Sequence, residues 1–215
     1  MAYTRDCEQC GRSFVPPREH ARFCSTRCRL AWNRQSAGDR QIWDCALGWS
    51  TAAMREATSR LATTGAAELR QGLALVSDAV WALTIVDATL VRYHPRQYDG
   101  ALATRGPTGR RLIEVTFAGL RFVRNRMGYH EDAADFVDAT SDTGRRESAV
   151  TAWLWKDLPE PALGSLPPTG RSWELSRYRA YQDQLAGYPV GDSLTLAAEF
   201  LTSATALTRP VPAEG

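Results

Sequence analysis

Several familiar signatures are missing from this sequence. No unbroken apolar run approaches the roughly eighteen residues of a membrane-spanning helix. The opening Met1-Ala2-Tyr3-Thr4-Arg5-Asp6 has no apolar signal segment, so a cytoplasmic protein with no membrane partner is expected. There is no Walker loop, dinucleotide glycine motif, nucleophile elbow or zincin motif, which excludes the common nucleotide-dependent and hydrolytic chemistries that rest on them. No internal repeat occurs. Lysine is almost absent, with Lys156 alone against 25 arginines. Such a bias reflects genome composition as readily as function, so weight rests on where the arginines cluster.

What is present is a chain of 215 residues with 44% hydrophobic content, enough for one medium domain and a small appended module. The formal net charge of +2 conceals an uneven distribution. Residues 1–35 hold seven arginines against three acids, and residues 105–126 hold six against Glu114 alone, whereas 131–142 is acidic. Basic clusters of this kind suit a polyanion.

The five cysteines are not spread evenly. Cys7 and Cys10 are followed, after thirteen intervening residues, by Cys24 and Cys28. In a reducing compartment such spacing favours a metal over disulfides, and four thiolates predict a closed tetrahedral structural Zn2+ site. Gly11 permits the tight knuckle turn after the second ligand. Ser25 is placed to cap a helix starting near Thr26, with Cys28 in its first turn. The segment resembles bacterial treble-clef or zinc-ribbon-like fingers with a Cys-x-x-Cys-Gly knuckle and a Phe-Cys-Ser helix start. With four cysteines available His20 is not needed as a ligand, and Cys45 is expected to be an ordinary buried thiol. Arg12, Arg18, Arg22 and Arg29, interleaved with Phe14, Phe23 and Trp32, are the expected nucleic-acid contacts of this finger.

The remainder predicts a mainly α fold: a helical bundle with a small β insertion, preceded by the four-cysteine zinc finger. The expected division is a finger at 1–35, a helical domain at 36–208 with a Trp-containing, Pro-rich insertion at about 148–171, and a flexible tail at 209–215. Residues 36–64 read as irregular helix anchored by Ile42, Trp43, Leu47, Trp49, Met54 and Leu61. A long helix follows from about Ala66 to Arg92, with a stripe of Leu69, Leu73, Val76, Val80, Leu83 and Val91. Pro95 ends it, and 94–108 reads as a loop. Another helix, about 108–127, buries Ile113, Phe117, Leu120 and Val123 and ends at Gly128. A short helical turn at 131–138, a strand at 150–155 and helices near 172–186 and 192–207 complete the reading, the last capped by Asp192. Leftover apolar surface on such a bundle suggests a homodimer.

The candidate chemistry lies in Arg121-Phe-Val-Arg124-Asn125-Arg126-Met127-Gly128-Tyr129-His130. Arg124 stands four, seven and eleven residues after Leu120, Phe117 and Ile113, on the apolar face of its helix. A buried guanidinium needs an acid, a subunit interface or a ligand phosphate, and Asp87 is the candidate acid. Arg124-Asn125 followed after four residues by His130 resembles the signature of the HEPN superfamily: helical, commonly dimeric domains, many of them metal-independent endoribonucleases. The resemblance covers roughly residues 66–138. It implies catalytic roles for Arg124 and His130 from two subunits and an orienting role for Asn125. The chemistry suits RNA, because His serves proton transfer near neutral pH and Arg forks onto phosphate. The alternative is a non-catalytic zinc-finger nucleic-acid-binding regulator or protein-interaction module. Elsewhere, His94 reads as a helix-end cap, and Trp153, Trp155 and Trp173 as a hydrophobic lid. Arg171, Arg177, Tyr178, Arg179 and Tyr181 read as an extended RNA surface or a solvated helix face.

Overall fold

The computed structural model describes residues 4–16, 21–33, 37–65, 68–127, 132–141, 151–161 and 168–208. The expected tail at 209–215, Gly128 and part of the Pro-rich stretch, 162–167, lie outside them. The described residues form eight helices and two two-stranded antiparallel sheets, a mainly α fold with a cysteine cluster near the N-terminus. The first module comprises β1 (Arg5–Asp6), β2 (Ser13–Phe14) and α1 (Thr26–Asn33), with Arg5 opposite Phe14. Then come α2 (Ala37–Thr63), α3 (Leu69–Tyr93), α4 (Pro95–Ala103), α5 (Gly106–Met127) and α6 (Ala133–Phe136). The hairpin of β3 (Val137–Ser141) and β4 (Thr151–Trp155) leads to α7 (Pro168–Gln184) and α8 (Val190–Ala206).

The core sits around α3, which packs on α2, α4, α5 and α8. Its buried stripe is Leu75, Val76, Ala79, Val80, Leu83, Val86 and Leu90. Leu69 and Val91, expected on that stripe, are exposed, because Leu69 opens the helix and Val91 faces a surface cleft. By length and average composition α3 could cross a membrane, a property that a search for unbroken apolar runs overlooks because polar residues such as Ser77, Asp78 and Asp87 interrupt it. On α5 all four expected residues are buried, and Gly119 lets α7 approach. A methyl group there would stand 3.2 Å from the Cα of Tyr181.

Three features differ from the sequence reading. The expected loop at 94–108 contains α4. Pro95 occupies its first turn, where a missing N–H costs nothing, and Tyr98, Ala101 and Leu102 face inward at helical spacing. Residues after Asp132 give only one helical turn before β3, which pairs Val137 with Trp155 and Ala139 with Trp153. In α8 the cap position is Pro189, and Asp192 stands in the first turn instead.

Trp49 is 70% exposed and anchors nothing, whereas Leu47, Met54 and Leu61 of the same helix are buried. The side chains of Ile42 and Trp43 lie outside the described ones. Trp153 and Trp155 of β4 are buried, their indole N–H groups donating to the Thr64 carbonyl and the Ser193 hydroxyl. Trp173 is exposed and not part of that lid.

Candidate metal centre and the arginine face of α5

Cys7, Cys10, Cys24 and Cys28 converge, with all four sulfurs within 4.8 Å of one another. Local hydrogen bonds shape the cage. The Gly11 N–H donates to the Cys7 carbonyl at 2.7 Å and the Cys7 N–H to the Arg12 carbonyl at 2.9 Å, closing the knuckle. Gly11 adopts φ +69°, the left-handed conformation that side chains resist. The Ser25 hydroxyl accepts from the Cys28 N–H at 3.2 Å, so the cap sets the last ligand in the first turn of α1.

The donor set fits a tetrahedral ion. Ligand sulfurs about 2.3 Å from a central ion stand roughly 3.8 Å apart. Cys10–Cys24 and Cys24–Cys28 are separated by 3.6 and 3.5 Å. Metal-free, these thiols cannot all ionise together. Burial, reinforced by the thiols of Cys28 and Cys10, pushes Cys24 up to about 12. Burial also raises Cys10. For Cys7 burial acts upward too, but backbone hydrogen bonds from Cys24, Cys10 and Gln9 outweigh it and bring the thiol down to about 7. A divalent cation removes the repulsion that keeps these protons on. Four protein ligands on a tetrahedral ion would leave no coordination position for substrate, as in a structural site.

The arginines of the module are largely engaged within the chain. Arg22 forks onto both carboxylate oxygens of Glu8, its Nε 2.8 Å from Oε1, and lies over the rings of Phe23 and Trp32. That hydrogen bonding holds the Glu8 carboxyl below its ordinary range. Arg12 reaches Asp99 of α4 at 3.6 Å, and the Arg96 side chain fills the space where a Gly11 side chain would be. The knuckle is thereby docked on α4. Arg29 is exposed on α1, and Arg18 lies outside the described residues. Cys45, expected to be buried, is exposed on α2.

Beneath the docked knuckle a cleft of about 230 Å³ opens between α3, α4 and α5, lined by Arg12, Tyr98, Asp99, Arg110, Glu114 and Arg121 among others. Behind it lies Asp87, a fully buried carboxylate on α3. The Tyr98 hydroxyl donates to its Oδ1 at 2.8 Å, and Arg121 grips Oδ2 with Nε at 3.1 Å and with a second guanidinium nitrogen. Burial, with the Asp87 charge behind it, raises the Tyr98 phenol well above its ordinary range. The partner of Asp87 is therefore Arg121 rather than Arg124. Arg121, four residues after Phe117 and with its guanidinium over that ring, is the arginine that faces Asp87.

Arg124 is placed differently. Its guanidinium carbon lies 4.5 Å from the ring centre of Trp81 on α3. Its Nε is buried and has no hydrogen-bond partner, and it pairs with no carboxylate among the described residues. Asn125 follows it, half-buried, in the last turn of α5. His130, three residues beyond Met127, lies outside the described residues.

Tyr178 is half-buried and Tyr181 fully buried within the fold. Their hydroxyls donate to the carbonyls of Leu158 and Lys156, fastening α7 to the segment after β4. His94 marks the junction of α3 and α4, its backbone N–H bonded to the Leu90 carbonyl. The chain matches no protein-family model, no curated protein and no solved structure, so its likeness to the HEPN signature rests on the Arg124 motif and the helical pattern alone.

Proposed function

We propose that this chain is a zinc-bearing helical protein that binds and cuts RNA in the manner of HEPN endoribonucleases, with Arg124, Asn125 and His130 at the reacting phosphate. Zinc is the ion we assign to the four cysteines, because a closed tetrahedral set of thiolates suits it, and its role would be to build the finger. One observation carries the reading. Asp87 is satisfied by Arg121 and Tyr98, which leaves Arg124 held on an aromatic ring with a buried Nε–H that meets no acceptor among the described residues. A guanidinium prepared in this way suits a phosphate oxygen.

The reaction balances without a metal or external reagent. The 2′-hydroxyl gives its proton to a base, its oxygen attacks the adjacent phosphorus, and the bond to the 5′-oxygen breaks as that oxygen takes a proton. The products are a 2′,3′-cyclic phosphate and a 5′-hydroxyl. His130 serves the proton steps and Arg124 the developing phosphorane charge. A second copy of the chain would supply a second pair. The exposed Arg29 of the finger adds phosphate contact.

The test is incubation of the zinc-loaded protein with RNA in EDTA, for a time short enough that metal analysis shows the finger still loaded. Cleavage with cyclic-phosphate ends is expected, with loss of at least about a hundredfold in His130→Ala, in the usual range for a general acid or base. Equal cleavage by that variant would sink the catalytic assignment. Salt-dependent binding without turnover would instead leave the chain as a nucleic-acid-binding regulator.

A further inference from the structure

Trp81 does more than support Arg124. It is also one wall of a groove of about 370 Å³ between α2 and α3, whose other wall carries the exposed Trp49. Ala53, Ala57 and Ala82 keep the floor shallow and apolar. The rim carries the carboxylates of Glu56 and Asp78. Glu56 is loosely paired with Arg60 at 4.0 Å, whereas Asp78 has no ion pair among the described residues. The volume falls in the range of roughly 300–1,000 Å³ typical of small-ligand sites.

We propose that this groove receives an unstacked nucleobase of single-stranded RNA between Trp49 and Trp81, one indole away from a phosphate held at Arg124. The inference rests on the RNA reading given above and adds the determinant of base preference. Two indoles in one groove supply the stacking faces that single-stranded recognition uses. The charges are complementary to a nucleotide: a cation at the phosphate end and carboxylate acceptors at the base end. Carboxylates accept hydrogen bonds from exocyclic amino groups, which cytosine, adenine and guanine carry and uracil lacks. Trp49 has no packing role that explains its exposure, since the neighbouring Leu47 and Met54 fill the core.

The experiment measures binding of labelled single-stranded oligo(C), oligo(U) and inorganic polyphosphate to the zinc-loaded chain by fluorescence anisotropy. Sedimentation and thermal melting accompany each variant. Trp49→Ala is expected to weaken oligo(C) about five- to a hundredfold while leaving polyphosphate unchanged. Arg124→Ala is expected to weaken both. Asp78→Asn is expected to erase a preference for oligo(C) over oligo(U). The inference is overturned, with the RNA reading intact, if Trp49→Ala binds oligo(C) as the parent does while Arg124→Ala does not. It is also overturned if Trp49→Ala turns a dimer into a monomer with RNA affinity unchanged, because a second copy then fills the groove. If the parent chain binds no RNA, both readings fall. Because Trp49 is exposed, its removal should leave the melting temperature of the bundle in place.

Discussion

The metal module and the helical bundle solve the same problem by opposite means. Among the described residues before α2 only Cys7 is buried, so the module has no hydrophobic core of its own. Its order comes from four sulfurs around one point and a few backbone hydrogen bonds. The bundle draws its order from apolar side chains such as Val76, Leu83, Phe117 and Phe200, all excluded from water. The Asp87–Arg121 charge pair is set against that core. A small region without a core depends on one interaction that can be removed in a single step, and a large region with a core does not.

The largest effect expected from breaking this contrast is in the module. If the four cysteines hold zinc, as proposed, Cys24→Ser or prolonged chelation should abolish the module's fold, because structural zinc contributes on the order of 10–16 kcal/mol in small fingers. Metal analysis and limited proteolysis would report the loss, while the helical melt of the bundle should stay where it was. A common melt at lower temperature would mean that module and bundle are one cooperative unit. Next in size, Asp87→Ala should cost the bundle about 1–3 kcal/mol in urea unfolding, since it leaves the Tyr98 hydroxyl and a partly solvated Arg121 guanidinium without their acceptor. Replacing both partners, as Asp87→Leu with Arg121→Met, should be milder than the single change.

Zinc affinity should fall with acidity. Cys10 and Cys24 are raised in the metal-free state and hold their protons at neutral pH, and the metal must displace them. Below neutral pH Cys7 holds its proton too, so at least three protons are released, which corresponds to roughly a thousandfold or more weaker binding for each unit that pH is lowered. Calorimetry in buffers of different ionisation enthalpy counts those protons directly, and a count of zero would contradict the burial argument. The smallest effect belongs to the contact between the two regions. Arg12 and Asp99 are exposed, so a double-mutant cycle should give a coupling of only about 0.2–1 kcal/mol. A larger coupling would show that the knuckle and α4 stabilise each other strongly.

The cysteine spacing and the apolar period of α5 were legible because each is local: ligands close in sequence, and a stripe repeating every turn. The boundaries of α3, α5 and β4 follow the same local signals to within a few residues. α4 was hidden because Pro95 both ends one helix and suits the first turn of the next, and only the burial of Tyr98 and Leu102 distinguishes the two cases. The site was less legible. Asp87 was recognisable as the acid, but which arginine it takes depends on how α3 and α5 are set against each other, which no single-helix period encodes. The cation on Trp81 and the docking of Gly11 against Arg96 join residues far apart in the chain. They depend on packing that sequence spacing does not report.

Asp87 also imposes an order on assembly. While α3 is alone, its carboxylate is solvated and costs nothing. Once α2 and α8 close over α3, that carboxylate is trapped unless Tyr98 has arrived with α4 and Arg121 with α5. A compact form with α5 slipped by a turn so that Phe117 stands where Arg121 belongs would offer no guanidinium at the right height and would bury the charge at a cost of several kcal/mol. The carboxylate therefore acts as a proofreader: it penalises any collapsed form in which α4 and α5 bring it no hydroxyl and no guanidinium.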